Sequence, residues 1–261
     1  MSPHDAAEAL AVVRAARALL GEWVEDGLEA IPSPAPRPRA PGPGQPAAAA
    51  SRAPAAGAAT RPPSAEPDTA DAPPPCSPLA AVREQLGECT RCRLSEGRTQ
   101  IVFGDGNPGA DLMFVGEGPG EQEDLQGIPF VGRAGELLTR MIEAGLGIER
   151  STVYICNIVK CRPPGNRNPA ADEVSACRSF LDAQIDAVRP RVLVTLGKPA
   201  SSLLLGRDVA ITRVRGQWHE YRGIPMMPTL HPAYILRQYT EENRRLVWED
   251  LKAAHARSLE G

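Results

Sequence analysis

The stretch Leu112-Met113-Phe114-Val115-Gly116-Glu117-Gly118-Pro119-Gly120 decides the fold. Four apolar residues halted by a glycine-rich turn are too few for a helix and suit a strand buried on both faces. Short apolar runs recur at Val153–Val159, Val192–Leu196 and Met226–Leu230. Around them lie helical stretches near Gly135–Ala144, Asp172–Val188, Pro199–Leu205 and Glu241–Ser258. Strands alternating with helices imply βαβ units, hence a mainly parallel sheet with helices on both faces. Such sheets bind ligands beyond the C-terminal ends of their strands. Gly116, Asn157 and the residues after Leu230 fall there.

Working outward, the composition divides the chain in three. Leu10, Val13, Leu20, Val24, Leu28 and Ile31 recur at mostly three- and four-residue steps, an amphipathic helix pattern over residues 1–31 that Pro32 stops. A helix of this kind suits docking to a protein partner or self-association, or it has no partner and is marginal. Residues 32–78 are Pro/Ala-rich: 15 of the 27 prolines fall between Ile31 and Pro78. A stretch so poor in large apolar side chains cannot bury enough surface to offset its ordering entropy, so it reads as a disordered linker. Residues 79–261 are left for one domain with a real core.

That domain carries 23 Lys or Arg against 23 Asp or Glu, so it has no bulk electrostatic signature of nucleic-acid binding. Any such contact must come from local clusters, for which Lys160, Arg162, Arg167, Arg213, Arg215 and Arg237 are the candidates. No run approaches membrane-spanning length, and Glu8, Arg14, Arg17 and Glu22 interrupt any secretory signal. A cytoplasmic protein with no membrane partner is expected. In a reducing compartment clustered cysteines are better read as metal ligands or reactive thiols than as disulfides.

Cys89 and Cys92 form a C-x2-C pair, and Cys161 and Cys177 follow 69 and 85 positions beyond Cys92. Four thiols without histidine suit either zinc or an iron–sulfur cluster, and spacing does not decide between them. Cys76 lies in the linker and Cys156 in an apolar run; both read as non-ligands. The glycine loop lacks the G-x-G-x-x-G spacing and the P-loop Lys-Ser/Thr, so nucleotide binding is a poor fit. Its glycines, Gly116 and Gly118 among them, let backbone approach a flat ligand closely, with Glu117 pointing into the pocket. Asn157 interrupts an apolar run, so its amide is either satisfied in the core or faces a site. Phe130 lies in the turn-rich Gly127-Ile128-Pro129-Phe130-Val131-Gly132, and His231 follows a strand at the site-forming edge.

Together these segments resemble the family 4, iron–sulfur-containing uracil-DNA glycosylases. The resemblance rests on GEGPGEQED at Gly116–Asp124 with GIPFVGRAGELL at Gly127–Leu138, on YICNIVKCRPPGNRNP at Tyr154–Pro169, and on HPAYILR at His231–Arg237. It implies a three-layer α/β/α sandwich around a four-stranded parallel sheet, and a [4Fe–4S] cluster on Cys89, Cys92, Cys161 and Cys177. It further implies that Phe130 stacks on an extruded uracil, that Asn157 hydrogen-bonds its polar edge and that His231 contacts its O2. Residues Pro232–Arg237, with Leu236 and Arg237, would press into uracil-containing DNA, with Arg167 nearby. A monomeric glycosylase domain is expected. Other glycosylase families carry Asp or Asn where Gly118 stands, which leaves Glu117 to orient water, stabilise the sugar cation or block the thymine methyl group. A covalently trapping relative has a histidine in the loop that here reads Arg162–Asn168, without one. The competing reading is a non-catalytic iron–sulfur DNA-binding or damage-sensing protein; a zinc-containing nucleotide-binding protein is more distant.

Overall fold

The structure is a computed structural model and describes residues 77–260. The helix expected over residues 1–31 and nearly all of the expected linker lie outside the described residues. Pro78 proves to be the first residue of helix α1 (Pro78–Leu86): Ser77 caps it, its hydroxyl accepting from the Ala80 N–H at 3.2 Å.

Four parallel strands form the expected centre: β2 (Leu112–Gly116), β3 (Tyr154–Asn157), β4 (Val192–Leu196) and β6 (Ile224–Thr229). Two short antiparallel strands that the sequence reading did not foresee close the edges, β1 (Asp105–Gly106) against β3 and β5 (His219–Tyr221) against β6. The order is β1-β3-β2-β4-β6-β5. The β5–β6 hairpin turns through Arg222 and Gly223, with φ of 53° and 83°. Two positive φ values in a two-residue loop are the primed-turn geometry that matches strand twist. Arg-Gly is not the usual sequence for it, which is why the turn was not read.

Side chains on β2 alternate between two cores, as a pleated strand dictates. Met113 and Val115 join the core formed with Leu181 and Ile185 of α5 (Ala171–Val188) and Ala200 of α6 (Lys198–Leu205). Leu112 and Phe114 join the opposite core with Leu138 of α4 (Arg133–Arg140) and Val247 and Leu251 of α9 (Glu241–Ser258). A sheet buried on both faces between helices is the three-layer α/β/α sandwich. The remaining helices are short: α2 (Leu94–Gly97), α3 (Glu121–Gln126), α7 (Ile211–Val214) and α8 (Pro232–Arg237). No helix among the described residues is long and apolar enough to cross a membrane.

Register places the site. Gly116 stands opposite Asn157 at the ends of β2 and β3, and Leu196 opposite Thr229 at the ends of β4 and β6. The next residues out are Glu117 and Gly118, Gly197, and the segment leading to His231.

Candidate active site

A cleft of about 670 Å³ opens over these four strand ends. Glu117, Gly118, Phe130, Asn157, His231, Arg167 and Arg237 all line it, so residues up to 120 positions apart in sequence converge as the motifs implied. Gly116 lies directly behind. A Cβ on Gly116 would meet the Asn157 Oδ1 at 2.4 Å and the Phe130 ring at 2.5 Å, so glycine is what lets that amide and that ring share the cleft floor. A Cβ on Gly118 would come within 2.9 Å of the Val159 side chain, so an aspartate here would need Val159 to move.

Phe130 is held in the left-handed region, at φ 54°, a conformation that costs a residue with a side chain about 1 kcal/mol or more. Both adjoining peptides are clamped. Before it, Arg150 Nη2 donates to the Pro129 carbonyl at 2.6 Å and Nη1 to Thr139 at 2.9 Å. After it, Glu123 Oε1 accepts from the Val131 and Gly132 N–H groups at 2.9 and 2.8 Å, while its Oε2 accepts from Gly120 N–H at 3.0 Å. Glu123 thereby ties the glycine loop to the Phe130 loop. Gly135 completes the turn, since a Cβ there would overlap the Phe130 carbonyl.

Asn157 is 1% exposed, and its Oδ1 has no hydrogen-bond partner among the described residues. A buried acceptor left unpaired costs about 1–3 kcal/mol, so this one is set to receive a donor from whatever enters the cleft. His231 caps α8: its Nδ1 accepts from the Ala233 N–H at 3.1 Å. Its ring is packed into the cleft wall, and burial, with the Arg237 charge adding, pushes its pKa down to about 4, against a smaller opposite pull from Glu123. The imidazole is therefore neutral at physiological pH, and an acceptor at Nδ1 puts the proton on Nε2. Glu117 has its pKa raised by burial, with no cation offsetting it among the described residues.

Cys161 ends the extension of β3 over residues 158–161, and Cys89, Cys92 and Cys177 gather with it at the core that holds Met113 and Val115. Cys161 and Cys177 are buried, while Cys89 and Cys92 are partly so and pack against the same core. Burial pushes the Cys161 thiol up to about 11, the neighbouring Cys177 and Cys92 thiols adding and Arg98 opposing; burial also raises Cys177, with Lys160 opposing and the Cys92 and Cys89 thiols adding. Arg98 donates to Cys161 Sγ at 3.3 Å and to the Cys89 carbonyl, and Arg91 to Cys89 Sγ at 3.4 Å. Glu173, fully buried, accepts from Arg93 at 2.8 Å and from both Arg167 Nη atoms, linking the C-x2-C loop to the head of the helix that carries Cys177. Among the described residues, no three His, Cys, Asp or Glu side chains come together closely enough for a single metal ion.

Several basic residues are not where the sequence reading put them. Lys160 is fully buried, and Arg215 pairs with the buried Asp250, so neither reaches a phosphate. Arg162 spans Asn166 and Glu121, and Arg167, though on the cleft rim, is committed to Glu173 in a two-pronged pair. Leu236 is partly buried against the second core rather than lining the cleft; on the same helix Ala233, Tyr234 and Arg237 line it, Tyr234 being 37% exposed. Glu123 and Arg150 also escaped the sequence reading. Glu123 offered a signal, standing three residues after Gly120 as in a capping box, which it does close. Arg150 offered none.

A profile described as the Uracil DNA glycosylase superfamily matches residues 103–252, the whole central sheet included. The class is thus fixed by more than half of the chain. A type-4 uracil-DNA glycosylase of Thermotoga maritima is 50% identical over 178 residues, covering 67% of this chain and 92% of that protein. Those of Sulfurisphaera tokodaii and Saccharolobus solfataricus are 46% and 41% identical over 182 residues, again 67% of this chain and 82% and 83% of theirs. The chain belongs to the type-4 uracil-DNA glycosylases.

Proposed function

We propose that this chain removes uracil from DNA by hydrolysing its N-glycosidic bond, leaving an abasic site for base excision repair. The observation that carries the reading is the unpaired, buried Oδ1 of Asn157 on the cleft floor beside Phe130 and His231. Uracil offers an N–H flanked by two carbonyls on one edge, and an amide oxygen with its own NH2 is the complement to an N–H and a neighbouring carbonyl.

A base inside a duplex is unreachable, so the nucleotide must be flipped out, at a cost of about a few kcal/mol. Stacking on Phe130 returns about 1–3 kcal/mol of it. Cleavage passes through an oxocarbenium-like sugar and a uracil anion, and water is the final nucleophile. The neutral imidazole of His231, donating from Nε2, stabilises charge developing on the leaving oxygen, a contribution typically of about 10²–10³ in rate. Glu117, whose carboxyl pKa is raised by burial, orients water or faces the sugar cation. Arg237 and Tyr234 on α8 contact the duplex.

Four cysteines without histidine, with Arg98 donating to Cys161 Sγ and Arg91 to Cys89 Sγ, are a donor set that fits a [4Fe–4S] cluster. When bound, such a group supplies a covalent staple between residues 89–92, the β3 extension and α5; no step of the hydrolysis runs through it. A monomeric domain in the cytoplasm goes with this reading, as does a separate role in partner docking for residues 1–31, joined by the linker over 32–78 to the glycosylase domain.

The test is incubation of purified protein with a uracil-bearing oligonucleotide and its thymine counterpart, scored for alkali-labile sites, with the visible spectrum recorded. Uracil-specific cleavage and broad brown absorbance are expected. Binding without base release would replace the enzyme by a damage sensor.

A further inference from the structure

We infer that Lys160 is a positioning residue for base recognition: from inside the core it fixes the Asn157 peptide at the end of β3 and so aims the Asn157 side chain. The inference rests on the glycosylase reading above and assigns that site a determinant lying outside the cleft.

Lys160 is among the largest fully buried side chains of the domain. Burying an ammonium is costly unless it is well bonded, and a methionine would fill the same space without that cost. Its Nζ donates to the backbone carbonyl of Asn157 at 2.7 Å and to Oε1 of Gln184. Gln184 is itself fixed, because its Nε2 donates to the Phe103 carbonyl at 2.9 Å and to the Tyr154 hydroxyl at 3.0 Å. Its oxygen is thus left facing Lys160. Asn157 is the last residue of β3, where the ladder gives out, and Lys160 satisfies the carbonyl there. On the other side, Ile158 and Val159 donate to the Gly116 and Glu117 carbonyls at 2.9 and 3.3 Å, so the same peptides hold the glycine loop.

The Asn157 Oδ1 makes no hydrogen bond within the described residues, so its direction is set by the backbone that carries it. That backbone is fastened by Lys160, whose anchor Gln184 lies on α5, two turns beyond Cys177. The core on one face of the sheet thereby sets the geometry of a base-reading group at the sheet's edge.

The test is a double-mutant cycle on the full chain, with Lys160→Met, Asn157→Ala and the pair. Three quantities are read: single-turnover uracil excision, affinity for a thymine duplex of the same sequence, and visible absorbance. Lys160→Met is expected to slow excision by about 10²-fold, as small misplacements of catalytic groups do. Duplex affinity and absorbance should stay near wild type, and the change should add no further loss to Asn157→Ala. Losses that multiply overturn the proposal, as does a parallel fall in affinity or absorbance, which marks a general structural role. If Lys160→Met does not fold, Gln184→Leu takes its place in the cycle, and wild-type excision by Gln184→Leu overturns it equally. A wild-type chain that releases no uracil sinks the glycosylase reading, whereas an active wild type with multiplying losses sinks Lys160 alone.

Discussion

The rings of Phe130 and His231 meet with centroids 5.7 Å apart and planes inclined by 34°. The two side chains thus share one wall of the cleft. With its pKa near 4, His231 stays neutral across the physiological range. Excision should show no titration from this group between about pH 5 and 8 and should fall as pH drops towards 4. Its folded pKa lies below its unfolded value, so the unfolded chain binds more protons in between, and stability too declines as pH falls from about 6.5 to 4. An imidazole seen by NMR to titrate between pH 6 and 7 would contradict this assignment.

Gly116→Ala should act on the pocket more than on the fold. The added methyl meets the Asn157 amide and the Phe130 ring together. Overpacking of this kind costs about 1–3 kcal/mol. We expect an excision rate lower by about 10²-fold, with a cooperative thermal transition retained. Near-wild-type turnover would mean that the ring and the amide are not held as described.

Glu117→Gln should stabilise the protein while changing its chemistry. Burial without a cation raises this carboxyl's pKa, so at neutral pH the folded state carries an unfavourable charge that Gln lacks. A gain of about 0.5–2 kcal/mol is expected at pH 7. The advantage shrinks as pH falls, because protonation relieves the wild type. Uracil and thymine substrates assayed side by side then separate the three roles: unchanged rate and selectivity would remove Glu117 from all of them.

At Glu173 the sign is opposite. Hydrogen bonds from Arg167, the Ala170 N–H and Arg93, with Arg167 first, hold its carboxyl at about 2 against the opposing effect of burial. The stability it contributes is present above the ordinary carboxylate value and is lost as pH falls from there through 2. Glu173→Gln should cost about 1.5–3 kcal/mol at pH 7. The gap between variant and wild type should close in acid, as measured by denaturant unfolding across pH. A gap that does not vary with pH would assign the loss to packing instead.

The fold was legible wherever a segment is apolar throughout. Each of the four central strands is buried on both faces, so its sequence declares itself without alternation. The edge strands did not declare themselves, being two and three residues long and half exposed. Cleft residues were legible through the motifs that carry them. What supports them was not: Arg150 and Lys160 look like ordinary surface cations in sequence, and only tertiary packing turns them inward. Arg215 misled for the same reason, since a charge pattern does not reveal which carboxylate a guanidinium will meet.

The left-handed backbone at Phe130 bears on how this chain tolerates change. Its ring is held in place by Arg150, Glu123 and Gly135, none of which needs to touch a nucleotide to matter. Replacements at those positions would spare the visible signature of the site, leaving Phe130, Asn157 and His231 intact in the sequence, and still silence it. An intact motif is thus an incomplete guide to competence in chains of this kind, and the clamps deserve to be read alongside it.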